Sequence, residues 1–169
     1  MNSRAVLNFM RQQGFPEEPA DACNMHFSGL YFQPRIVFPL VLLATLLQSA
    51  PMFLVMSGIL WWNVLLPRFN PFEVTYNRFV APRLGGGVLA PAPGPRRFAQ
   101  GMAAVFMLAA GLALRLSQPL LAYVCEAALI AAFSMLLFGK FCMGAYIFHL
   151  LRGEVAFANS TLPWARPRT

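Results

Sequence analysis

Residues 44–53, ATLLQSAPMF, and residues 113–121, ALRLSQPLL, show the same event inside two long apolar runs. In each, a leucine-rich stretch meets serine and a proline follows, as Ser49-Ala50-Pro51 and as Ser117-Gln118-Pro119. Proline suits the first turn of a new helix, where its missing N–H would have no partner anyway and its φ is already helical. Each break therefore predicts a tight turn between two antiparallel helices, and the pair predicts two helical hairpins.

Outward from these breaks, apolar runs occupy 36–50, 51–66, 98–116 and 119–139. A membrane helix needs about 20 such residues to cross about 30 Å of hydrocarbon. The expected fold is thus an all-α membrane protein with four transmembrane helices arranged as two hairpins. The halves align beyond their turns: Phe27 matches Phe98, Pro51 matches Pro119 and Phe69 matches Phe141, at offsets of 71, 68 and 72 residues. That points to a duplicated hairpin in parallel repeat and starts the first span near Phe27, with Pro34 and Pro39 in its inner turns.

Composition agrees with the membrane class: 58% of the 169 residues are hydrophobic and 11% charged, too apolar for an ordinary soluble domain. Thirteen Lys and Arg face six Asp and Glu, but the basic residues flank apolar runs instead of forming a patch, so no nucleic acid is expected. Twelve of the thirteen, all but Arg115, fall on the side that holds both termini and the middle loop. Because cytoplasmic loops carry the Lys and Arg excess, the expected location is the bacterial inner membrane, multi-pass, with both termini cytoplasmic. The first thirty residues hold no apolar segment with a cleavage site, so no removable signal peptide is expected.

Between the hairpins, Asn70 as N-cap, Pro71 at the first position and Glu73 at the third announce a short helix. Phe72, Tyr76, Phe79 and Val80 would share its apolar face beside Arg78 and Arg83, which suits an interfacial amphipathic helix. The following GGGVLAPAPGPRR lacks periodicity and reads as an extended, flexible link. A second amphipathic segment, 3–14, sets Val6, Phe9 and Met10 against Arg4, Asn8 and Arg11. The organisation expected is an N-terminal cytoplasmic segment (1–26), a first hairpin (27–66), a cytoplasmic loop with its interfacial helix (67–97), a second hairpin with a helical extension (98–152), and an extended cytoplasmic tail (153–169).

Few residues carry chemistry. Glu126 is the one acid inside a span, and an intramembrane acid is costly unless paired. Arg115 lies on the preceding helix near the same turn, so a structural Arg115–Glu126 pair is expected. Cys23, His26, Cys142 and His149 map to one side and add up to a Cys2His2 set. Zinc sites usually bring ligands in close pairs, and seven residues separate Cys142 from His149, so no metal site is expected. His26 or His149 could face a pigment or haem only from a neighbouring subunit, and the chain is read as holding no cofactor of its own. The odd cysteine count, three with Cys125, fits no disulfide framework. The nine Met and sixteen Phe read as packing and lipid-facing surface. Gly101, Ala104, Gly111 and Ala113, with Ala127, Ala128, Ala131 and Ala132, predict close packing within the second hairpin.

Over 20–152, the chain resembles a family of small bacterial membrane proteins known only as a domain of unknown function. The likeness rests on Met25-His26-Phe27-Ser28 and Arg97-Phe98-Ala99-Gln100, where the family has RFNQ-like and PRFAQ-like span starts. It rests also on Phe141-Cys142-Met143-Gly144-Ala145 followed by Tyr146, where the family has an FCxGC-like element. The resemblance implies that a second cysteine has become Ala145 here, leaving no dithiol for disulfide exchange. The function expected is a non-catalytic accessory or structural subunit of a larger membrane complex, electron-transfer and photosynthetic complexes being candidates. Two rivals are a membrane thiol or redox protein using Cys142 and a small transporter depending on Glu126. The partners expected are the lipid bilayer and other integral membrane subunits.

Overall fold

The computed structural model describes residues 4–15, 27, 29–84 and 89–165, and every regular element among them is helical. In chain order these are α1 (Arg4–Gln12), α2 (Phe32–Leu46), α3 (Ala50–Leu65), α4 (Pro71–Thr75), a π-helical turn (Tyr76–Val80), α5 (Ala81–Leu84), α6 (Gly94–Arg115), α7 (Pro119–Leu137), α8 (Met143–Leu151) and α9 (Val155–Ser160).

Both breaks are tight turns, and they close in the same way. Gln48 and Ser117 take φ of 45° and 53°. At the first turn the Gln48 N–H donates to Thr45 O and the Ser49 N–H to Ala44 O. Sixty-nine residues on, the Ser117 N–H donates to Leu114 O and the Gln118 N–H to Ala113 O. This left-handed closure satisfies the last carbonyls of α2 and α6. Pro51 and Pro119 then open α3 and α7 within their first two positions.

Length divides the four helices. α6 and α7, with 22 and 19 residues, are long and apolar enough to cross a membrane, whereas α2 and α3 have 15 and 16. α2 is preceded by helical backbone at 27, 29 and 30 and a turn at Tyr31, while Pro67 follows the C-cap of α3 and opens a short 3-10 turn. The Arg97 guanidinium donates to Val64 O at 2.7 and 3.1 Å, neutralising a carbonyl at the end of α3.

α6 is the central helix, packed against α3, α7 and α8, and α7 packs in turn against α2. The second hairpin packs closely, α6 against α7, as expected, but Gly111 and Ala104 of the small-residue set face α3 instead. A Cβ on Gly111 would lie 2.8 Å from the Leu54 side chain and 3.2 Å from Ala50 O, both of α3. Ser57 of α3 also donates to Ala104 O at 2.8 Å, so the small face of α6 serves the contact between hairpins. Ala127 and Ala131 are exposed. Val41, Ala44, Phe53, Ala104, Met107 and Ala110 form the inner core.

The connecting segments depart further from expectation. Asn70 caps α4 as predicted, its side chain accepting from the Phe72 N–H at 3.0 Å. The shared apolar face does not hold: Tyr76 is buried while Phe79 is exposed, because the π turn between them changes the angular spacing of side chains. The link is pinned at Leu89, whose backbone exchanges two hydrogen bonds with the Asn77 side chain, at 2.8 and 3.1 Å. The tail is not extended at 155–160, where it forms α9. It folds back on α1 through Asn8, whose amide donates to Leu162 O at 2.8 Å. α1 buries Val6, Phe9 and Met10 and sets Phe9 against Phe27 and Tyr31, so the two ends of the chain close one end of the bundle as a cap.

Candidate functional site: a cavity beneath the terminal cap

Gln12 is the centre of the cap. Its side-chain oxygen accepts from the Cys142 N–H at 2.9 Å, and its own carbonyl lies 3.1 Å from His149 Nε2. His149 Nδ1 meets Glu154 Oε2 at 2.6 Å, and Arg152 Nε donates to Glu154 Oε1 at 3.1 Å. Both His149 nitrogens thus face oxygen acceptors, and both hydrogen bonds form when both nitrogens carry protons. The His149 bond and Arg152 hold the Glu154 carboxyl below its usual range. Cys142 and His149, two of the four residues of the Cys2His2 set, are joined through Gln12 and do not converge on one point. Cys23 and His26 lie outside the described residues. Among the described residues no three His, Cys, Asp or Glu side chains gather.

Cys142 is 8% exposed, and burial pushes its thiol up against the smaller opposing effect of neighbouring hydrogen bonds. The sulfur is therefore held as a thiol, the weaker nucleophile. Gly144 has a steric role: a Cβ there would lie 2.6 Å from Ala99 Cα, so α8 and α6 meet nearly backbone to backbone. Ala145, where the related element has its second cysteine, is fully buried.

The expected Arg115–Glu126 pair is replaced. Glu126 is 2% exposed, and its carboxylate accepts from Gln48 Nε2 at 3.1 and 3.3 Å. Arg115, in the last turn of α6, is exposed. The left-handed conformation of Gln48 carries its amide across to α7, so Glu126 ties the turn of the first hairpin to a helix of the second.

Below the cap, between α6, α7 and α8, lies a cavity of about 330 Å³. Its polar end is lined by Gln13, Gln33, Arg96, Gln100 and Cys142. Phe106, Ala128, Leu129 and Ala132 line its apolar reach. From Arg96 to Phe106 along α6 is about 15 Å at 1.5 Å per residue. Gln100 Nε2 donates to Gln33 Oε1 at 2.8 Å, both side chains being buried, while Gln100 Oε1 has no partner. Arg96 Nη2 stands 3.8 Å from Glu73 Oε1, a buried ion pair longer than a hydrogen bond. The cavity's volume falls in the range of about 300–1,000 Å³ typical of ligand pockets. Sequence reasoning overlooked Gln12, Gln33 and Arg96, for which no local pattern exists. Gln100 was visible as the last letter of the RFAQ motif.

Fold and site together define an all-helical protein with two long apolar helices and a polar-ended cavity under a cap made by its own termini. The chain belongs to the family described as a domain of unknown function, DUF4395, whose model matches residues 28–152. No curated protein and no solved structure matches the chain.

Proposed function

We propose that the chain is a four-span integral protein of the bacterial inner membrane with both termini cytoplasmic, and a non-catalytic accessory subunit of a larger membrane assembly. Its outward surface supports the membrane reading. Only 33% and 22% of the most apolar stretches of α6 and α7 are buried, where a soluble core helix would be mostly buried. Leu46, Leu120 and Phe138 are 77–81% exposed, a cost in water that lipid removes. The basic residues around the capped end support its cytoplasmic placement.

One observation carries the accessory role. At the capped end Gln12, Cys142, His149 and Glu154 are spent on binding one another, whereas Leu151 and Trp164 stand outward at 73% and 75% exposure. Chemistry-bearing groups hold the chain together, and apolar groups are left to be covered. The test is isolation in mild detergent with a photocrosslinking residue at Trp164. Stoichiometric membrane subunits joined at that position are expected, and Cys142→Ser should leave the association intact. A monodisperse monomer that yields no crosslink overturns the reading.

A further inference from the structure

We propose that the cavity between α6, α7 and α8 binds a single-chain amphiphile whose head is small, uncharged and bears a hydroxyl group. The inference does not depend on the accessory role, since an isolated monomer contains the whole site. Three observations select the ligand. The apolar reach, lined by Phe106, Ala128, Leu129 and Ala132, takes one hydrocarbon chain. At its polar end Gln100, 8% exposed, keeps one side-chain oxygen without a partner. Turning over the amides of Gln33 and Gln100 only exchanges the unpaired acceptor for an unpaired donor on Gln100, and a hydroxyl, which both donates and accepts, satisfies either. Finally, Arg96 lies in the lining with Glu73 at 3.8 Å, both under 10% exposed. The pair is already neutral, so an anionic head would leave an uncompensated buried charge, whereas a neutral oxygen can accept from the guanidinium without displacing Glu73.

Monoacylglycerols and isoprenoid quinols share this chemistry. The test uses the full chain in phospholipid nanodiscs and equilibrium binding of radiolabelled monododecanoylglycerol. Saturable binding is expected, with dodecanoate competing at least tenfold less well than the unlabelled glyceride. Removing the acceptor in Gln100→Leu should weaken binding about tenfold, the effect of one lost hydrogen bond to a buried group. Ala132→Phe, which fills the chain channel and leaves every polar group in place, should weaken it at least as much. It also keeps the test decisive should Gln100→Leu fail to fold. Competition by a short-chain isoprenoid quinol separates the two sources, because the natural head displaces the label at the lower concentration. The proposal is overturned if no saturable binding is seen, if dodecanoate competes equally well, or if folded Ala132→Phe binds as the unaltered protein does.

Discussion

Gln48 and Ser117 occupy the same left-handed position at their two turns, and only one of them uses its side chain. A non-glycine residue there costs roughly 1–2 kcal/mol, while glycine gives back about 0.5–1 kcal/mol through its freer unfolded chain. Ser117→Gly should therefore raise stability by about 0.5–1 kcal/mol, seen as a rise of about 2 °C in Tm. Gln48→Gly should lower Tm, because it removes the hydrogen bonds to Thr45 O and to Glu126. Equal shifts in both variants would deny Gln48 its role between the hairpins. The same partnership predicts that Gln48→Ala and Glu126→Ala interact by about 1 kcal/mol in a double-mutant cycle of thermal unfolding. Arg115→Ala with Glu126→Ala should be additive, and Arg115→Ala alone should change stability by less than about 0.5 kcal/mol.

At the scale of elements, the buried Glu73–Arg96 pair joins the short helix of the central loop to α6. Glu73→Gln and Arg96→Gln should couple in a double-mutant cycle, the paired change departing clearly from the sum of the two single changes. Denaturant unfolding in detergent measures both. Two carboxylates at this end respond to pH in opposite senses. Glu154 has a depressed value, chiefly from the His149 hydrogen bond. Its contribution is present above the usual value of 4.5 and is lost as pH falls through the lower folded value. Burial raises Glu73, with Arg96 opposing, so its contribution is greatest below 4.5 and is lost as pH rises through the raised folded value. Glu154→Gln should flatten the acid side of a Tm-against-pH curve, and the outcome that denies the His149 contact is an unchanged acid limb.

For the whole molecule, the proposed topology predicts that a cysteine introduced at Gln118 is labelled from outside intact cells and that one introduced at Gly86 is not. Labelling at Gly86 alone reverses the orientation. The cap adds a second prediction at this scale: deletion of 153–169 removes Glu154, α9 and the acceptors of Asn8, so α1 loses its bonds to the tail and keeps those of Gln12 to Cys142 and His149. Limited proteolysis should then cut the first fifteen residues faster while the hairpins stay inserted. The two ends of the chain hold each other, the Asn8 amide donating to Leu162 O and Ala165 O.

What the sequence determined by itself is local: the two turns with their serines and prolines, the apolar runs on either side, and the cap formed by Asn70. Each depends on residues within a few positions, where backbone sterics and helix-end hydrogen bonding decide the outcome. The RFAQ and FCMGA motifs were legible as patterns, but not the roles of Gln100 in a cavity and Gly144 in a backbone contact. Those roles, like the choice of Gln48 over Arg115 for Glu126 and of α3 over α7 for Gly111, were decided only when helices packed. Asn8 meets Leu162 across 154 positions and Cys142 meets Gln12 across 130. Such contacts leave no periodic trace in an apolar chain, because many helix faces are equally greasy, and only the close fit of small residues and the need to pair buried polar groups choose among them.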